Sequence, residues 1–93
     1  NDIIENSYTI KLINQTNDAR EFRLRVTGVD GIHLDGITDT FTIAGGGVLS
    51  VPVRARVHRG NARGVAKIDF IAEALDDSGD MRIEDSRFLG PTP

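Results

Sequence analysis

Three features of this 93-residue chain predict an all-β fold. Apolar and polar residues alternate with period two along most of its length. Clusters of Gly, Asn and Asp fall between the alternating runs. No run carries a sustained, capped helical period. Successive side chains of a strand point to opposite faces, so an alternating run buries one face and wets the other. Seven short runs with frequent turns form the pattern of an immunoglobulin-like two-sheet antiparallel sandwich of about seven strands. A helix-covered parallel sheet would need crossovers for which the chain has no room.

The first run, 4–13, alternates Tyr8, Ile10 and Leu12 with Thr9 and Lys11, and the polar stretch Asn14 to Asp18 turns the chain. The second, 20–27, alternates Phe22, Leu24 and Val26 with Arg23, Arg25 and Thr27. Short runs at 32–34 and 39–43 are bounded by Asp30-Gly31, Asp35-Gly36 and Gly45-Gly46-Gly47. Glycine reaches positive φ without steric cost and Asn or Asp bonds its own backbone, so such clusters mark reversals. The fifth run, 48–57, alternates Leu49, Val51, Val53, Ala55 and Val57 with polar residues. Pro52 lies on its polar side and cannot donate to a ladder, which predicts an edge or a bulge there. The sixth run, 64–74, contains Ala and Glu that tolerate helix, but its alternation favours strand. The seventh, 81–88, follows a hairpin turn around Ser78-Gly79, and Gly90-Pro91-Thr92-Pro93 reads as a chain end leaving the domain. The predicted core is Tyr8, Ile10, Leu12, Phe22, Leu24, Val26, Phe41, Ile43, Leu49, Val51, Val53, Val57, Ile68 and Phe70.

Bulk composition bounds function. The net charge of −3 argues against a general nucleic-acid binder. No apolar run approaches the roughly 20 residues that span a membrane as a helix. With no cysteine, the chain has no disulfide, thiol nucleophile or thiolate ligand. A serine hydrolase would need a nucleophile elbow, which is missing, so His33 and His58 read as ordinary strand or loop residues. His33, His58 and Met81 offer copper imidazole and thioether donors, but they lie in three separate runs without paired spacing. Asp76-Asp77-Ser78-Gly79-Asp80 lacks the glycine position and closing Glu of a calcium loop and reads as a hairpin turn. The glycine triplet 45–47 lacks the Lys-Ser/Thr of a phosphate loop, and Asn14-Gln15-Thr16 matches the short glycosylation sequon.

Charge is more informative. No acid occurs between Thr40 and Ile68, where Arg54, Arg56, Arg59, Arg63 and Lys67 lie. From Asp69 to Asp85 seven acids face only Arg82. Solvated strand faces pairing across a sheet account for much of this. Nine of the eleven basic residues are arginine, which suits planar contacts at interfaces. Arg54 and Arg56, joined by Arg23 and Arg25, are therefore the candidate interaction face, for an acidic partner or a membrane surface. In a sandwich the fifth and sixth runs lie in opposite sheets, so Arg54 and Arg56 should not reach Asp69 and Glu73.

Two stretches resemble one family. Ile4-Glu5-Asn6-Ser7-Tyr8-Thr9-Ile10-Lys11-Leu12-Ile13-Asn14 is similar to the first strand of the C-terminal domain of FixG-type proteins, also called the RdxA or CcoG family. Glu84-Asp85-Ser86-Arg87-Phe88-Leu89-Gly90-Pro91 resembles the way that domain closes. Phe22-Arg23-Leu24, the Gly28-to-Gly31 turn and Val51-Pro52-Val53 fit its layout, so the similarity spans nearly the whole chain. The resemblance implies a bacterial inner-membrane parent with 4Fe-4S clusters in its upstream part, engaged in copper handling and terminal oxidase assembly. Residues 1–93, beginning at Asn1, are then one domain from the C-terminal end of that longer protein. The expected role is a non-catalytic support or interaction domain on the periplasmic side, with no cofactor, catalytic residue or metal site of its own. Its expected partners are the rest of the parent protein, the membrane surface or oxidase-assembly proteins, and not nucleic acid. The rival readings are a copper-binding module, and a carbohydrate- or surface-binding sandwich from an unrelated exported protein.

Overall fold

The structure, a computed structural model, describes residues 2–37 and 40–92. Its strands are β1 (Ile3–Ile13), β2 (Arg20–Thr27), β3 (His33–Asp35), β4 (Phe41–Ile43), β5 (Val48–His58), β6 (Val65–Ala74) and β7 (Met81–Leu89). The predicted fourth run began at Asp39, which lies outside the described residues. Among the described residues the only helix is a single 3₁₀ turn, Arg59–Asn61. The strands form two antiparallel sheets, β1-β5-β3 and β4-β2-β6-β7. The chain is therefore an all-β, immunoglobulin-like sandwich.

Long strands set the frame. β1 and β5 pair without interruption from Ile3 opposite His58 to Ile13 opposite Val48. Pro52 sits within that ladder opposite Thr9, so the strand is not bulged there. β3 reaches only Arg54 to Arg56, which leaves the other side of β5 unpaired at Pro52. The proline thus occupies a one-sided edge, where its missing N–H costs no second ladder bond.

The core lies between the sheets. Ile10, Leu12, Leu24, Ile43, Val51, Val53, Val57, Ile68 and Phe70 are buried in it as predicted. Tyr8, Phe22, Val26, Phe41 and Leu49 are only half-buried and pack around its rim. Tyr8 lies edge-to-face on Phe70, with ring centroids 4.9 Å apart, and its hydroxyl donates to the Arg87 carbonyl at 2.8 Å. Phe88, fully buried, and the small residues Ala55, Ala62 and Ala72 complete the interior. Ile71 is buried too, but outside this cluster. It faces outward, between Arg25 of β2 and Ile83 of β7.

Two close approaches explain glycines. Gly28 has φ +125°, and a Cβ there would stand 2.6 Å from the Lys67 carbonyl oxygen on β6. A Cβ at Gly45 would stand 2.2 Å from the Asn17 carbonyl oxygen. Nearby, Asn14 is the one buried polar residue among those described. Its side-chain amide donates to the Asp18 and Ile43 carbonyls, both at 2.9 Å, and its Oδ1 accepts from the Thr16 N–H at 3.1 Å. The Thr16 hydroxyl lies 2.7 Å from the same oxygen. The Asn14-Gln15-Thr16 sequon is thus a structural turn. Its amide nitrogen is committed to two carbonyls, so the glycosylation reading fails.

Candidate interaction surface

The polar residues of β1, β5 and β3 form the outer face of the three-stranded sheet. Register places Arg56 between Glu5 and His33, and Arg54 between Ser7 and Asp35. Each arginine reaches both acids. Arg54 lies 3.3 Å from Asp35 and 4.0 Å from Glu5, and Arg56 lies 3.4 Å from Glu5 and 3.7 Å from Asp35. The four side chains make a square of alternating sign whose net charge is zero.

Arg23 and Arg25 lie on the outer face of the other sheet. Arg25 Nε donates to Glu73 at 2.8 Å, while Arg23 makes no ion pair among the described residues. The four arginines expected to form one basic face therefore divide between two opposite faces. They share an outward direction in sequence, but β2 and β5 belong to different sheets. As expected from that separation, Arg54 and Arg56 do not pair with Asp69 or Glu73.

The best-built ionic site is one the sequence did not suggest. Arg20, at the start of β2, is almost wholly covered, its side chain 12% exposed. Its Nε lies 2.8 Å from Asp76, and its Nη2 lies 2.7 Å from Ser78 Oγ and 3.0 Å from Asp80. The guanidinium also stands 5.5 Å from the centre of the Phe22 ring, within cation–π reach. The acid-rich turn that superficially resembles a calcium loop thus closes around an arginine. The hydrogen bond from Arg20 holds the Asp76 carboxyl well below the usual carboxylate range, helped by the Ser78 hydroxyl and N–H. Arg20 is raised in turn, chiefly by Asp76. No local spacing announces this contact, because its partners are 56 to 60 positions apart in the chain.

The histidines have local duties. His58 Nδ1 accepts from the Gly60 N–H at 3.2 Å, capping the 3₁₀ turn, and His33 Nδ1 stands 3.1 Å from the Gly31 carbonyl oxygen. His58 pairs with Ile3 at one end of β1, whereas Met81 lines a cleft with Leu12 and Ile13 at the other. The three copper-type donors are therefore not brought together.

The outer face of the β6–β7 hairpin is banded. Val65 faces Leu89, Lys67 faces Arg87, Asp69 faces Asp85, and Ile71 faces Ile83. Ile83 is 60% exposed, and Met81, Val65 and Leu89 are also exposed.

A two-sheet antiparallel sandwich of this kind is an immunoglobulin-like domain, here with ionic and apolar bands on its outer faces. The family described as "IG-like fold at C-terminal of FixG" matches residues 1–91, and the chain belongs to that family. The crystal structure of a FixG-related protein from Vibrio parahaemolyticus is similar, with a TM-score of 0.85 and 27% sequence identity. The likeness covers 94% of this chain and 79% of that one. No curated protein matches the chain in sequence.

Proposed function

We propose that this domain is a non-catalytic interaction module of a FixG-type membrane protein, working on the periplasmic side of a bacterial inner membrane. In this reading the parent carries 4Fe-4S clusters upstream and takes part in copper handling and terminal oxidase assembly. The observation that carries the proposal is the family match over residues 1–91 of a chain without cysteine. Iron–sulfur clusters are held chiefly by cysteine thiolates, so the residues of this domain do not fit such a group. Its contribution is then made by contact, through the outer faces of its sheets, with the rest of the parent, the membrane surface or an assembly partner.

Deleting the domain from the full-length parent tests this. The expected result is an unchanged cluster absorption spectrum together with reduced copper content in the oxidase. Loss of the clusters on deletion, or an oxidase that acquires its copper normally, refutes the role.

A further inference from the structure

At one edge of the four-stranded sheet, β7 leaves one side unpaired. The pattern of bonds identifies which backbone groups are free. The Gly90 N–H donates to the Gly64 carbonyl at 2.8 Å, so even-numbered residues of this strand turn their hydrogen-bonding groups toward β6. The odd-numbered residues turn theirs to the open edge. Part of that edge is already taken by β1 side chains. Asn6 bonds both the N–H and the carbonyl of Leu89, and the Tyr8 hydroxyl donates to the Arg87 carbonyl. The stretch Met81 to Asp85 stays open.

We propose that this open half of β7 pairs antiparallel with the same strand of a second copy, about a two-fold axis through Ile83. A two-fold places one residue opposite itself. An axis at Met81, the first residue of β7, would carry Ile83 to Asp85 past the end of the partner strand, and among the other centres only one is favourable. Centring on Arg82, Glu84 or Asp85 sets a charge against its own copy, which is destabilising across a ladder. Centring on Ser86 requires the Arg87 and Leu89 groups that Tyr8 and Asn6 hold. Centring on Ile83 brings Arg82 opposite Glu84 of the second copy, twice. Both are exposed, and neither makes an ion pair among the described residues. The same register lines up Ile71, Ile83 and their two symmetry mates in one row on the outer face, covering an isoleucine that is 60% exposed in the monomer. Met81 and Asp85 supply edge N–H and carbonyl groups on either side of the axis. Charges on an edge strand ordinarily keep other chains away. Here they have opposite sign at the positions the axis joins, so they discourage other pairings and favour this one.

The test is sedimentation equilibrium of the chain across a concentration series, with circular dichroism confirming the fold of each variant. The expected result is a concentration-dependent dimer at twice the 10.1 kDa monomer mass. Arg82→Glu should weaken it on the order of tenfold or more, because two attractive pairs become repulsive. The double reversal Arg82→Glu/Glu84→Arg should restore it, and Ile83→Lys should abolish it. Three outcomes overturn the proposal: a chain that is monomeric throughout, a dimer indifferent to these changes, or a dimer not recovered by the double reversal. A monomer whose β7 amides gain protection only when the rest of the parent protein is added assigns the edge to that partner instead.

Discussion

At the scale of single residues, chemistry concentrates where long-range contacts converge, and Arg20 is the clearest case. Its guanidinium joins the first residue of β2 to both sides of the β6–β7 turn, acting as the cation for two carboxylates. Because Asp76 is held below its ordinary value, the unfolded chain binds a proton more readily than the folded one. Stability from this contact is complete above the unfolded carboxylate pKa of about 4 and is lost as pH falls below it toward the folded value. Urea denaturation across the acid range should show that Asp76→Asn flattens the decline of stability below that point. An unchanged slope would mean that the turn does not depend on the ion pair. The sequence could show Asp76, Ser78 and Asp80 as a turn, since Asx chemistry is local. It could not show what fills the turn, because nothing local ties Arg20 to it. Asn14 behaves similarly: its sequon was visible, but the carbonyls that consume its amide come from Asp18 and from Ile43 on another strand.

At the scale of elements, period two identified the strands because most of them bury one face against the opposite sheet. β1, β2 and β5 show the pattern plainly, and their limits fall within one residue of the predicted runs. The last strand misleads for a physical reason. Its larger apolar residues Met81, Ile83 and Leu89 occupy odd positions and face outward, exposed, whereas fully buried Phe88 is even. An edge strand overhangs the core, so most of its inner positions are wet and only the end lying over the core is apolar. Phe88 is accordingly a keystone that the predicted core omitted. Truncating a buried phenylalanine to alanine typically costs about 3–5 kcal/mol. Total stabilities are only about 5–15 kcal/mol, and a small domain sits low in that range. At concentrations where the chain is monomeric, Phe88→Ala should therefore lose most of its cooperative thermal transition, while Ile83→Ala on the same strand should melt close to wild type. Similar melting of both variants would show that β7 is not anchored through its buried end.

At the scale of the whole molecule, the sandwich decides which charges act together. Arg54 and Arg56 looked available in sequence because no acid lies near them in the chain. Folding brings Glu5 and Asp35 to them from two neighbouring strands, and the resulting square is neutral. A neutral cluster projects little field beyond the Debye length of about 8 Å at physiological ionic strength. Arg23, on the opposite face, makes no ion pair among the described residues, so it is the most available of the four arginines, with Arg25 beside it held by Glu73. If the domain docks to an acidic surface, Arg23→Ala/Arg25→Ala should reduce binding to anionic lipid vesicles on the order of tenfold at low salt, and the loss should shrink as salt rises. Replacing Glu5, Asp35, Arg54 and Arg56 together by alanine removes the square without changing net charge, and binding should then stay near wild type. Vesicle co-sedimentation at two ionic strengths separates the faces. Equal losses from both variants would mean that the neutral square contributes as much to docking as the β2 face, since only the β2 variant changes net charge. Binding indifferent to salt and to all four arginines would leave them as solvated strand residues, and the contact surface would then have to be sought among the apolar bands of β6 and β7.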